Sequence, residues 1–396
     1  MEIPDQDLIH RRSPGKTVSA LIFLAAYLCA ITALSIDLVF WIETPLLAEG
    51  VPNFGDLHPL RTSLLALAAA FTVLGLSTWG LGRRDPSESY HANKKKMPGV
   101  PAEAEGQGKW VTAVRPGFIH WGILGAGLSA LLLFVAYPGT FLTLQNEDRV
   151  VEVGSALFLF AACFVSLQIF WHSRKSNLPR SRLYAGTALF FAFSFFLIGM
   201  EEVSWFQRVL SIETPAALAV SPRDELNLHN LATDLVENAY YGGAFVFLVL
   251  LPFINEQTGL LRKFRYAQHF LPSSSVLLAG SLAMAYNYDM WNILFTQLAF
   301  FLTLFILVYK AWAARQFKIP FIYLTFLTAT LVLTQVLFLA LGDRFIQGWE
   351  VTEYKELLIP FVFLLYSTEV YQRTRAIPHS VVNAREEMPA SLIPSA

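Results

Sequence analysis

The stretch Leu183–Arg208 reads LYAGTALFFAFSFFLIGMEEVSWFQR. From Leu183 to Ile198 it holds no charge and no proline. A helix that crosses hydrocarbon needs about 20 apolar residues, so this run predicts a membrane span. Two adjacent carboxylates, Glu201 and Glu202, close it. They fall at the C-terminal end of the predicted helix, where the macrodipole disfavours negative charge, and they repel each other. Arg208, a bound cation or a proton on one of them must compensate. Carboxylates at the edge of a bilayer are costly and mark function.

The rest of the chain fits the same class. Of 396 residues, 55% are hydrophobic and 15% charged, against about 25% charged in a soluble domain. Candidate spans lie at about 18–41, 60–81, 118–137, 151–171, 183–200, 238–254, 271–287, 291–312, 319–341 and 357–372. The seventh is the weakest, because it opens on Ser273, Ser274 and Ser275; a re-entrant segment is the alternative there, against which the charge alternation argues. The N-terminal run from Val18 to Trp41 is too long for a signal-peptide core and reads as a retained first span. The expected fold is all-α: a polytopic integral membrane protein of about ten transmembrane helices.

Basic residues fix the expected orientation. Arg11, Arg12 and Lys16 precede the first span, and Arg83, Arg84 and Lys94 to Lys96 follow the second. Arg174, Lys175, Arg180 and Arg182 separate the fourth and fifth; Arg262, Lys263 and Arg265 the sixth and seventh. Lys310, Arg315 and Lys318 separate the eighth and ninth, and Arg373 and Arg375 follow the tenth. By the positive-inside rule both termini are cytoplasmic. The expected organisation is a cytoplasmic tail (1–17), a two-helix membrane unit (18–82), a disordered cytoplasmic linker (83–117), an eight-helix membrane core (118–373) and a cytoplasmic C-terminal tail (374–396). The linker is rich in Pro, Gly, Ser, Lys and Glu and has no apolar period. Most of the tryptophans fall near span ends, as an interfacial belt does.

The acidic residues gather on the other side. Glu147, Asp148 and Glu152 open the fourth span, Glu201 and Glu202 end the fifth, and Glu225 and His229 stand four apart before the sixth. Glu350, Glu353 and Glu356 recur before the tenth. Helix N-termini favour carboxylates, which accounts for Asp148, Glu152, Asp234 and Glu237 and serves equally for Glu350 and Glu353. It does not account for Glu201 and Glu202. His229 is the only histidine among these acids; it can serve as a hydrogen-bonded structural residue, or share a proton or a divalent metal with Glu225. His120 reads as structural. Cys29 and Cys163 lie in separate apolar runs and read as packing residues. No His-x-x-x-His, Cys-x-x-Cys, Gly-x-Ser-x-Gly or phosphate-binding glycine loop occurs, so the common zinc-protease, serine-hydrolase and nucleotide-binding patterns lack support. A net charge of −1 and the lack of a basic stripe give no sign of a nucleic-acid partner.

Taken together, MEEVSWFQR (200–208), ETP (213–215) and ELNLHN (225–230) resemble an uncharacterised family of bacterial multi-pass membrane proteins. That family carries Glu-Glu-[Ile/Val]-Ser-Trp-x-Gln-Arg, then Glu-Thr-Pro, then Asn-Leu-His-Asn. Its earlier Glu-Asp-x-x-x-Glu signature is matched by Glu147, Asp148 and Glu152. This chain has Met200 and Phe206 where the family has glycine, and Arg149 after Asp148. The resemblance groups Glu147, Asp148, Glu152, Glu201, Glu202, Trp205, Gln207, Arg208, Asn227, His229 and Asn230, and implies a bacterial inner-membrane location.

From the residues, the leading expectation is an enzyme acting on a lipid or lipid-linked substrate at the extracytoplasmic face. Glu201, Glu202, Glu152 and His229 are then the catalytic candidates. Arg208, Trp205, Gln207, Asn227, Asn230, Glu147 and Asp148 are the substrate-binding candidates, Arg208 for an anionic head group. Glu201, Glu225 and His229 are the candidate ligands for a divalent metal. A proton- or cation-coupled transporter using the same carboxylates is the alternative, although no Pro- or Gly-broken pair of spans is evident. A non-catalytic subunit of a membrane complex is the third.

Overall fold

Hydrocarbon offers backbone groups no partners, so apolar runs must satisfy their N–H and C=O groups within helices or closed barrels. In the computed structural model the described residues are 16–40, 58–81, 116–144, 150–175, 181–210, 233–261, 264–288, 293–342 and 351–376, and every regular element among them is helical. The principal helices are α1 (Lys16–Phe40), α2 (His58–Leu81), α3 (Phe118–Ala136), α4 (Val150–Lys175), α5 (Ser181–Glu202) and α6 (Thr233–Phe245). After them come α7 (Leu251–Thr258), α8 (Ser274–Ala283), α9 (Leu294–Ala313), α10 (Lys318–Ala340) and α11 (Thr352–Arg375). A π-helical segment, Val246–Leu250, joins α6 to α7, with Pro252 in the first turn that follows. Among the described residues, six helical stretches are long and apolar enough to cross a membrane: Phe118–Ala136, Val151–Lys175, Ser181–Glu202, Leu235–Thr258, Leu294–Ala313 and Lys318–Ala340. This is a multi-pass helical membrane protein.

The arrangement follows from which faces are greasy. α1 and α2 form a hairpin that joins the rest through α2 against α9. α1 turns Leu21, Leu24, Tyr27, Leu28, Ile31 and Leu34 outward. α4 and α5 form a second hairpin, and α11 lies along α4 and α8. α11 is the principal helix with the most charge, carrying Glu353, Lys355, Glu356, Glu369, Arg373 and Arg375. It is also deeply enclosed, with Val351, Lys355, Ile359, Val362, Tyr366, Ser367 and Val370 all buried. A charged helix is tolerable here because its neighbours, not lipid, surround it.

The seventh candidate span is a short helix. Ser274–Ala283 and the 3₁₀ turn Met284–Tyr286 together rise about 20 Å, against about 30 Å of hydrocarbon. Residues 276–288 are all buried, so the irregular backbone beyond Tyr286 is wrapped in protein, where membranes tolerate it. It is stabilised from α10: Gln335 Nε2 donates to the carbonyls of Ala285 (2.8 Å) and Asn287 (3.1 Å).

The end of the bundle at which α8 begins holds a belt of polar pairs. Ser273 caps α8 by accepting from Ser275 N (3.1 Å), and its hydroxyl donates to Glu369 Oε2 (2.9 Å). Arg373 pairs with Glu369 and donates to the carbonyls of His269 (2.9 Å) and Leu271 (2.7 Å). Buried Lys310 meets Glu256 at 2.6 Å, and Ser274 hydrogen-bonds the same carboxylate. His120 accepts from Gly117 N at Nδ1 (3.2 Å) and faces Ser275 Oγ with Nε2 (2.9 Å), the structural role expected of it. His269 pairs with Thr374 Oγ1 (2.9 Å). Burial, then the Arg373 guanidinium, pushes its pKa down to about 4. Cys29 and Cys163 are both free thiols.

Candidate functional site

Small residues bring three helices together at the other end of the bundle. Gly154 on α4 lets α11 approach so closely that a Cβ there would stand 2.9 Å from Leu357 Cδ1. Gly199 on α5 does the same against α4, where a Cβ would meet Phe160 at 3.0 Å and Leu159 Cβ at 3.3 Å. One turn from each contact lies a glutamate.

Pro360 sets the position of one of them. Proline has no N–H, so the carbonyl four residues earlier loses its helical partner. That carbonyl belongs to Glu356. Ser155 of α4, fully buried, donates to it at 3.1 Å. The same hydroxyl is within hydrogen-bond reach of the Glu202 carboxylate. One serine thus ties together α4, the proline-opened turn of α11 and the end of α5.

Around it the half-buried side chains of Glu152, Glu202, Glu353 and Glu356 lie within electrostatic reach of one another. The Glu353 carboxyl lies close to that of Glu356. Tyr241 of α6 donates its hydroxyl to Glu356 Oε1. The ammonium of fully buried Lys355 sits 3.6 Å from the centre of the Tyr241 ring, a cation–π contact that offsets some of the negative charge. Glu237 is near Tyr241, and Tyr240 is near both Glu202 and Glu356.

Glu201 points elsewhere. Successive helix residues are about 100° apart, and Glu201 accepts from Trp205 Nε1 at 2.6 Å. The chain turns sharply there: Ser204, Trp205 and Phe206 have φ of 46°, 54° and 58°. For non-glycine residues each left-handed position costs about 1–2 kcal/mol. Phe206 stacks on Phe160 (6.5 Å, 13°), and Gln207 is buried just beyond.

Of the catalytic candidates, Glu152 and Glu202 come together, Glu201 is turned to Trp205, and His229 lies outside the described residues. So do Glu147, Asp148, Glu225, Asn227 and Asn230, and the side chain of Arg208. Among the described residues no three His, Cys, Asp or Glu side chains converge to hold a metal ion. Sequence reasoning assigned Glu353 to helix-terminus charge and gave Glu356 no role beyond the acidic rim, and it passed over Tyr241, Lys355 and Ser155. The signal was present: Pro360 four residues after Glu356 marks an opened carbonyl beside a carboxylate.

The fold and this cluster define a class: a polytopic helical membrane protein with four glutamates and a tyrosine gathered where its helices end. No family model, curated protein or solved structure matches the chain.

Proposed function

We propose that the cluster is an acid–base site acting on a lipid or lipid-linked substrate at the extracytoplasmic face of a bacterial inner membrane. In this reading the chain crosses the membrane ten times, with the half-length α8 completed by protein-enclosed irregular backbone, and both termini are cytoplasmic. The observation that carries the reading is the gathering of Glu152, Glu202, Glu353 and Glu356, with Tyr241 donating to Glu356. Crowded carboxyls can hold a proton in one step and release it in the next, as general acid–base work requires. Its depth supports a lipid substrate. Glu152 lies one turn inside α4, flanked by the outward-facing Val153 and Leu157, so acyl-chain surface and carboxylates meet at one level. Glu202 serves as the second carboxylate. The resemblance to the bacterial family gains support from Phe206, whose φ of 58° is a conformation in which glycine carries no penalty.

A second reading, proton- or cation-coupled transport, is favoured by the interrupted α8 and by Pro360, since transporters place coupling sites at broken helices. One set of variants tests both. Glu202→Gln, Glu356→Gln and Tyr241→Phe each abolish complementation of a deletion strain while the purified proteins keep the parent melting temperature. The deletion strain accumulates a lipid species if the site is enzymatic. Proteoliposomes carrying a pH-sensitive dye show proton flux if it is a transporter. Full complementation by both Gln variants removes both readings.

A further inference from the structure

Tyr240 of α6 ends in a hydroxyl that is sealed from solvent and, among the described residues, has no hydrogen-bond partner. A buried tyrosine hydroxyl ordinarily finds one. It faces the acidic cluster: Glu202 and Glu356 are both within electrostatic reach of it, and of each other. Those carboxyls have other partners, Glu202 at Ser155 and Glu356 Oε1 at Tyr241. The Tyr240 ring stands 5.5 Å from that of Tyr241, which already carries the Lys355 ammonium at 3.6 Å. The π-helical turn Val246–Leu250 continues the helix of these tyrosines, and such turns recur at functional sites.

We propose that Tyr240, Glu202 and Glu356 form a subsite for the protonated primary amine of a lipid head group. This names the substrate class of the acid–base site and rests on that reading for the lipid. A primary ammonium carries three N–H donors, and one hydroxyl and two carboxylates supply three acceptors. Charge favours it over a water or an alcohol. Glu152, Glu202, Glu353 and Glu356 gather there, and a neutral occupant leaves their repulsion uncompensated. Among the described residues no three His, Cys, Asp or Glu side chains converge to hold a metal ion, which points to an organic cation. A quaternary ammonium has no N–H for the hydroxyl. The paired rings suit a cation as well. The outward-facing Val153 and Leu157 beside Glu152 put acyl-chain surface at this level, which commits the amine to a lipid.

The test is isothermal titration of the full-length protein in detergent. The probes are dihexanoyl phosphatidylethanolamine, its N-acetyl derivative, dihexanoyl phosphatidylglycerol and free phosphoethanolamine. The ethanolamine lipid binds saturably, and the N-acetyl and glycerol lipids, which lack the ammonium, bind about tenfold more weakly or worse. Tyr240→Phe removes only the hydroxyl. It weakens the ethanolamine lipid about tenfold and leaves the ligand-free melting temperature unchanged or higher, because no native hydrogen bond is lost. Glu202→Gln weakens the same lipid. Equal binding of the three lipids overturns the proposal. So does a Tyr240→Phe protein that binds like the parent, or one that melts several degrees lower without ligand, which makes the hydroxyl a structural group. Equal binding of free phosphoethanolamine overturns the lipid assignment. Failure of Glu202→Gln and Glu356→Gln to complement, with no preference for the amine, removes this proposal and leaves the acid–base reading standing. Amine preference in the parent alongside full complementation by both variants removes the acid–base reading and keeps the subsite.

Discussion

Glu201 and Glu202 are neighbours in sequence with different surroundings: one accepts from an indole, the other faces Ser155, Glu356 and Glu152. A helix forces that split, since adjacent side chains diverge. At the other end of the bundle, His269 shows the same dependence on surroundings. Its pKa is about 4 against about 6.5 unfolded, so folding favours the neutral ring. The stability it contributes is complete above pH 6.5 and is lost as the pH falls from there through about 4. We expect the melting temperature of the parent to drop more steeply between pH 7 and pH 4.5 than that of His269→Gln. Parallel melting curves for the two proteins would show that His269 does not titrate on unfolding.

The element that shapes the cluster is α11, through the turn that Pro360 opens. If Ser155 replaces the missing backbone donor, Ser155→Ala leaves the Glu356 carbonyl unsatisfied, at a cost of about 1–3 kcal/mol. Pro360→Ala restores the N–H, and in that background the Ser155→Ala cost shrinks. The two changes are therefore expected to be strongly non-additive in a double-mutant cycle read by melting temperature. Strict additivity would mean that the serine acts only through Glu202.

At the scale of the molecule, the proposed orientation, read from the charge alternation, expects residues 201–237 on the extracytoplasmic side. A single cysteine at Ala217, in a background without Cys29 and Cys163, is expected to react with an impermeant maleimide from the extracytoplasmic side only. Reaction from the cytoplasm would put the glutamate end of the bundle on the inner face and remove the extracytoplasmic reading. The bundle as a whole separates its polar groups into two populations. Paired ions and caps hold the α8 N-terminal end, and mutually repelling carboxylates crowd the other. The first arrangement is what structure alone requires. The second costs stability, which is why the proposed function is placed there.

The sequence by itself determined the membrane class, the all-helical architecture and most helix positions, because a long apolar run and its charged borders are local properties. It singled out Glu201 and Glu202 together for the same reason, a carboxylate at the wrong end of a helix being visible without any partner, but it left open which of the two faces the other glutamates. Which carboxylates meet was decided only in three dimensions. Glu202 and Glu356 lie in distant parts of the chain, and their meeting depends on how α4, α5 and α11 rotate about their axes. That rotation is set by close approaches at Gly154 and Gly199, and hydropathy carries no trace of it. The length of α8 was hidden likewise. An apolar stretch enclosed by protein is as greasy as one that spans lipid, and only the packed neighbours, with Gln335 capping its broken end, distinguish the two.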